Sequence, residues 1–124
     1  MRRKIERSKE GLKYFFYDDK HLILTMVLEL RDDVVEILLQ GELRSVVAHA
    51  LQDDLIAMVT AGQNIILDFS GATYITPSIQ HALQMTQHKI DALKKGTLLL
   101  RKLPENIYQE LEQTGASEQL MIEE

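Results

Sequence analysis

The feature that most constrains the fold is an alternation of short apolar runs with longer amphipathic segments in the second half of the chain. The runs "NIILDF" (64–69) and "TLLLRKL" (97–103) are typical of strands buried in the centre of a sheet. Segments 45–60 and 77–94, and a third that starts at Pro104, carry apolar residues at helical spacing. Because strands that alternate with helices usually pair in parallel through right-handed crossovers, the sequence predicts an α/β fold.

Two more apolar runs, residues 22–30 and 34–39, flank the polar triplet "RDD" and predict an antiparallel hairpin. The aromatic patch "YFFY" (14–17) is consistent with an additional strand or with a lid over the sheet. We therefore expect a single domain with a mixed sheet of four to five strands and helices packed mainly on one face. A short edge strand is also expected near the C-terminus.

The charge is unevenly distributed along the 124 residues, which carry a formal net charge of -5. Residues 1–13 contain six bases and two acids, so the rest of the chain carries a net charge of -9. We interpret 1–13 as a basic, flexible N-terminal tail and 14–124 as the folded domain. The acidic body argues against nucleic acid as a partner.

The sequence contains no cysteine, which excludes thiol catalysis, cysteine zinc sites and disulfides. His81 and His88 fall two helical turns apart, about 10 Å along the axis, and are interpreted as exposed residues rather than metal ligands. The glycines do not form a phosphate-binding loop or a nucleophile elbow. We expect no catalytic activity, no metal and no cofactor.

The first strong apolar run begins at Leu22, contains Glu29 and is followed by no cleavage site. It is also much shorter than the roughly 20 residues that span a bilayer. The sequence therefore predicts a cytoplasmic protein without an integral membrane segment.

Thr76, Pro77 and Ser78 lie at the junction between the strand-and-loop segment 64–75 and the second helix. Thr76 is predicted to be the N-cap, with its side-chain oxygen accepting a hydrogen bond from a helix amide, and Pro77 to be the first helical residue. Ser45 is the corresponding candidate cap of the first helix. A phosphate on Ser78 would lie at the positive end of the helix dipole. The same residues are also ordinary capping chemistry for any helix.

The order of the elements and several short stretches together resemble the STAS domain family of bacterial anti-sigma-factor antagonists, over about residues 20–122. "VVEILLQGEL" is similar to the second strand of that family, which ends in Gly-Glu-Leu. "NIILDFSGATYIT" is similar to its central strand and following loop, and "KKGTLLLRKLPENIYQELEQTGASEQL" to its closing strand and helix.

The resemblance implies a phosphorylation loop, which in the family usually reads Asp-Ser-Ser-Gly and whose second serine is phosphorylated by a kinase that doubles as an anti-sigma factor. Thr76 stands at the aspartate, Pro77 at the first serine, Ser78 at the phosphoacceptor and Ile79 at the glycine. Arg44 stands where many antagonists carry an aspartate. Only the acceptor hydroxyl is retained, and the charge at residue 44 is reversed.

The resemblance implies a non-catalytic protein–protein interaction module, with Ser78 as the candidate phosphoacceptor. Its protein partner would be an anti-sigma factor of the serine-kinase type or a subunit of a larger complex. Two alternatives stay open: a constitutive subunit of a stressosome-like or lipid-transport-like assembly, and a domain that binds a small anionic ligand or nucleotide. A homo-oligomer is also open. The expected partner-binding residues are Gly41, Glu42, Arg44, Ser45, Thr76, Pro77, Ser78, Ile79 and His81.

Overall fold

A computed structural model describes residues 1–9 and 11–123 and shows one sheet with three helices. The strands are β1 (Arg2–Ser8), β2 (Gly11–Asp18), β3 (His21–Arg31), β4 (Val34–Leu43), β5 (Asn64–Ile75), β6 (Thr97–Arg101) and β7 (Met121–Ile122). The helices are α1 (Ser45–Thr60), α2 (Pro77–Leu93) and α3 (Glu105–Gln113), and a short 3₁₀ turn covers Ala116–Glu118.

The sheet is mixed, and its seven strands lie side by side in sequence order. Strands β1 to β4 form an antiparallel meander, whereas β4, β5, β6 and β7 are parallel. This architecture confirms the predicted α/β fold and mixed sheet. The predicted number of four to five strands was too low, because β1 has no buried side chain and β7 contains two residues, so neither has a clear apolar pattern.

Burial alternates along the strands, and the fully buried side chains face α1 and α2. Ile37 and Leu67 are completely buried, whereas their neighbours Leu38 and Ile66 on the opposite face are partly exposed. The two helices also pack against each other. The helices therefore cover mainly one face, as the sequence predicts.

The hairpin of β3 and β4 has the predicted position, and Arg31 pairs with Val34 across a two-residue turn. Asp32 has a left-handed backbone with φ of 55°, a conformation that aspartate tolerates better than most residues. The register places Leu28 opposite Ile37 and so aligns the buried faces of both strands.

Residues 1–13 are expected to be a flexible tail, but Arg2–Ser8 form β1 and Gly11 begins β2. β1 is the edge of the sheet, and all seven of its residues are exposed. Arg3 ties this strand to α1, because its Nη1 lies 2.6 Å from Asp54 Oδ2 and its guanidinium lies 5.1 Å from the centre of the Tyr14 ring. Backbone pairing and arginine contacts hold β1 in place. Because none of its side chains is buried, its sequence needs no apolar alternation, and that pattern was the signal that would have identified a strand.

The aromatic patch belongs to β2, where Phe16 is fully buried. The helix ends agree with the sequence within a residue or two, and Lys94 terminates α2 with a left-handed φ of 54°. Ser45 is not the cap of α1: Arg44 occupies that position, and no side-chain capping bond forms. Within residues 1–9 and 11–123, no helix combines the length and the apolar character required to cross a membrane.

Candidate partner-binding site

Two of the predicted binding segments, residues 41–45 and 76–79, meet at the carboxyl ends of β4 and β5. The parallel pairing places Leu43 beside Ile75. The Thr76 amide then donates a hydrogen bond of 3.2 Å to the Leu43 carbonyl. We call residues 41–45, 76–79 and His81 the loop surface, because one strand pair holds both loops side by side.

Gly41 is required by the path of β4, because its neighbour β3 passes very close to it. Its φ is 120°, and a Cβ at this position would lie 2.3 Å from the Ile23 carbonyl oxygen. The β4–β5 register shifts between Gly41 and Glu42, which marks an irregularity where the strand enters the loop. The glycine thus sets the position of the Glu42 and Arg44 side chains.

Glu42 and Arg44 form an ion pair on the loop surface, with Arg44 Nε donating to Glu42 Oε2 at 2.6 Å. The two side chains are 40% and 43% exposed, so water screens the pair and its contribution to stability is at most about 1 kcal/mol. Glu42 therefore partly neutralises the positive charge that Arg44 would present to a partner.

Thr76 occupies the predicted N-cap position of α2, but its side chain makes no capping hydrogen bond to a helix amide. The buried hydroxyl instead donates to the Leu43 carbonyl at 3.4 Å and lies 3.1 Å from Ser78 Oγ. The backbone carbonyl of Thr76 accepts from Ile79 and Gln80, at 3.1 and 3.2 Å. The predicted capping bond was wrong because the hydroxyl is turned toward the end of β4.

Ser78 lies in the first turn of α2 and is partly buried. Its hydroxyl shares a hydrogen bond with Thr76, so a phosphoryl group on Ser78 would disturb the contact of that oxygen with the threonine. No acidic residue occupies the first turn of α2, so no side chain of that turn neutralises the positive end of the helix dipole. The local field thus favours an anion at this position.

The remaining predicted residues divide by exposure. Ser45, Pro77 and His81 are exposed, and His81 lies on the same side of α2 as Ser78, three residues later. Ile79 is completely buried, so its side chain belongs to the core and cannot touch a partner directly. Ile79 was included by alignment with the family loop, although its helical spacing with Leu83 and Ile90 places it on the apolar face of α2.

Sequence reasoning missed Tyr74, which lies just before the second loop. This large aromatic side chain is 50% exposed. It pairs with Glu42 across the two strands, so it borders the loop surface. Asn106 of α3 also reaches this edge, since its amide donates to the Thr73 carbonyl at 3.4 Å. Alternation in β5 could have indicated Tyr74, whereas no local pattern marks Asn106.

The described part of the chain contains no group of three or more histidine, cysteine, aspartate or glutamate side chains placed to hold a metal ion. The chemistry of the loop surface is therefore that of hydroxyls, one ion pair, an exposed imidazole and a helix N-terminus. These groups suit recognition of another molecule.

Comparison with known proteins matches residues 25–124 to the STAS domain family. The chain belongs to this family. A search of the curated proteins gives no match.

Solved structures of anti-sigma-factor antagonists share the fold. The unphosphorylated form of SpoIIAA has a TM-score of 0.66 at 17% identity and aligns over 80% of this chain and 88% of that one. The phosphorylated form of the Bacillus SpoIIAA has a TM-score of 0.62 at 17% identity, over 80% and 91%. An antagonist from Mycobacterium paratuberculosis has a TM-score of 0.63 at 20% identity, over 80% and 84%.

Proposed function

We propose that this chain is a non-catalytic regulatory module that binds a protein partner through the loop surface. The observation that carries the proposal is the pairing of β4 with β5, which holds two loops and the start of α2 together at one edge. Exposed Ser45, Pro77 and His81 with the Glu42–Arg44 pair then form a polar surface, and such surfaces select partners by charge complementarity.

The partner that fits best is an anti-sigma factor of the serine-kinase type, with Ser78 as the acceptor of its phosphate. The family membership and the likeness to antagonist structures support this proposal. A phosphate on Ser78 would add about -1.5 to -2 charges at the start of α2, where the dipole favours it. It would also break the hydroxyl contact with Thr76 and change the charge that a partner meets.

A second candidate is a constitutive subunit that uses the same surface without a phosphate switch. The state of Ser78 favours it, because the hydroxyl is partly buried and already bonded to the buried Thr76. Pro77 also fixes the backbone just before the acceptor, which resists the extension that a kinase active site needs. The two candidates differ in whether modification of Ser78 controls binding.

The experiment is to isolate the tagged protein from its native cells, identify the partner that copurifies, and measure its affinity by calorimetry. For a switch, Ser78→Glu should weaken binding at least about tenfold, Ser78→Ala should bind normally, and Ser78→Ala should lose phosphate labelling. Thr60→Glu is the matched control, because Thr60 is an exposed hydroxyl residue at the opposite end of α1.

If both Ser78 variants bind as the natural chain does and the cellular protein carries no phosphate there, the constitutive role is correct. Arg44→Asp should then weaken the complex, because it replaces the cation of the surface ion pair by a second acid. A partner that binds with unchanged affinity to Arg44→Asp, to Ser78→Glu and to a His81→Glu variant would show that the loop surface is not the binding site.

We propose that this module acts in the cytoplasm. The lack of cysteine is consistent with this location, because disulfides rarely form in the reducing cytosol. Cell fractionation tests the location. Light scattering of the purified chain would show whether it forms a homo-oligomer.

A further inference from the structure

A cleft of about 470 Å³ lies between the adjoining ends of β1 and β2 and the C-terminal part of α1. Its apolar walls come from four elements: Leu12 of β2, Leu28 and Leu30 of β3, Val35 of β4 and Met58 of α1. The volume falls in the range of about 300–1,000 Å³ that is typical of small-molecule sites. The cleft therefore has the size and the apolar lining of a ligand pocket.

Arg7 and Lys9 line the same cleft and give it a positive rim. Among residues 1–9 and 11–123, neither side chain takes part in an ion pair. An acid of the smaller cleft next to it, Asp54, is already bound by Arg3 at 2.6 Å. The charged side chains that the structure describes at this rim are thus cationic, on a chain whose net charge is -5.

Leu30 adds a third observation at this cleft. Its side chain is 58% exposed, although it follows the buried Leu28 on the same face of β3. A bound apolar chain would remove this leucine from water, which favours binding. An apolar floor with a cationic rim fits a molecule with one apolar end and one anionic end.

We propose that this cleft binds a single-chain amphiphile, with the hydrocarbon chain along Leu12, Leu30 and Met58 and a carboxylate or phosphate head group held by Arg7 and Lys9. The hairpin that supplies both bases lies outside residues 25–124, which match the STAS family. The site is separate from the loop surface, and it does not depend on the proposed partner binding.

The test is calorimetric titration of the full chain with dodecanoate and with dodecyl phosphate, both below their micellar concentrations. Amide chemical shifts from NMR locate the binding. One-to-one binding is expected, with shifts concentrated at residues 11–14, 28–30 and 57–59. Stronger binding of one probe identifies the head group. Dodecanol should bind at least about tenfold more weakly, because it lacks the charge that Arg7 and Lys9 recognise.

Two variants with matched controls test the assignment of the side chains. Arg7→Glu should weaken dodecanoate binding at least about tenfold, whereas Arg2→Glu on the opposite face of β1 should not. Leu30→Ser should weaken it about fivefold, whereas substitution of Leu22, a similarly exposed leucine at the other end of β3, by serine should not. Circular dichroism of each variant checks that the chain is folded.

Three results would overturn the proposal. The first is the absence of binding by both anionic probes. The second is dodecanol binding as tightly as dodecanoate, which would remove the role of the cationic rim. The third is amide shifts that cluster at the open face of the sheet or at α2 instead of the cleft. If Arg7→Glu proves unstable, the affinity of the natural chain for dodecanoate should still fall as salt is raised.

Discussion

The N-terminal hairpin can be tested as part of the core by replacing two neighbouring phenylalanines of β2. Phe16 is completely buried, pairs with Leu24 of β3 and lies 5.9 Å from the Arg3 guanidinium. Phe15 points to the opposite, open face and is partly exposed. Phe16→Ala should therefore destabilise the protein by about 3–4 kcal/mol, and Phe15→Ala by about 1 kcal/mol.

The size of this effect makes it easy to measure. An unfolding entropy of about 2.1 cal/mol/K per residue gives about 0.26 kcal/mol/K for a chain of this length. A loss of 3.5 kcal/mol then lowers Tm by about 13 °C. Urea unfolding followed by circular dichroism should show the same loss as a lower midpoint with an unchanged slope. Equal, small effects of both substitutions would refute the reasoning, because a loosely attached hairpin would leave the unfolding of the remaining sheet unaffected.

Two further predictions concern a glycine and a partly buried acid. Gly41→Ala should lower the free energy of unfolding by at least about 2 kcal/mol, because its Cβ would meet the Ile23 carbonyl. Gly62→Ala is the control and should lower it by about 1 kcal/mol, because its Cβ would meet no atom within 4 Å. Urea unfolding measures both values, and equal losses would contradict this prediction. Burial raises the pKa of Asp54 above 3.8, although Arg3 opposes the rise. Because the pKa of Asp54 is higher in the folded than in the unfolded state, its protonated carboxyl contributes stability that is fully present below about pH 4. That contribution is lost as pH rises through the folded pKa. The Asp54→Asn variant should thus gain stability relative to the natural chain across that window, and the opposite slope would contradict the assignment.

The parallel half of the fold was predictable because its residues carry strong, redundant signals. β5 and β6 are continuous apolar runs, and the helices between strands are long enough to show their period. The turn between β3 and β4 was predictable for a similar reason, since two apolar runs flank three polar residues. In these segments local propensity and tertiary burial favour the same structure.

β1 was not predictable from the same rules. Its sequence, RRKIERS, reads as a charged terminal segment, and no residue in it is buried. What makes it a strand is the neighbouring β2, whose edge supplies the hydrogen bonds, together with the contacts of Arg2 with Tyr17 and of Arg3 with Asp54. Such partners are distant in sequence, so periodicity carries no information about them.

The loop surface was predictable in position but not in its hydrogen bonds. The order of strands and helices places residues 41–45 and 76–79 at the same edge of the sheet, because carboxyl ends of parallel strands meet there. The bond of Thr76 to Leu43 depends on how closely α2 approaches β4, which a capping rule does not include. The capping rule therefore identified the correct residue but the wrong hydrogen bond: the Thr76 hydroxyl donates to the Leu43 carbonyl instead of accepting from a helix amide.

The loop surface and the cleft lie toward opposite ends of α1, which begins at Ser45 and carries Met58 in its last turn. Thirteen residues at about 1.5 Å each separate these positions by about 20 Å. The bases of the cleft and the hydroxyls of the loop surface are consequently too far apart to share one small ligand or to act through direct contact. A partner bound at Ser78 and an amphiphile bound at Arg7 would influence each other only by changing the packing of α1 on the sheet. Because Leu51 and Leu55 are buried between those ends, that packing resists displacement, and the two sites are expected to behave as independent features of one domain.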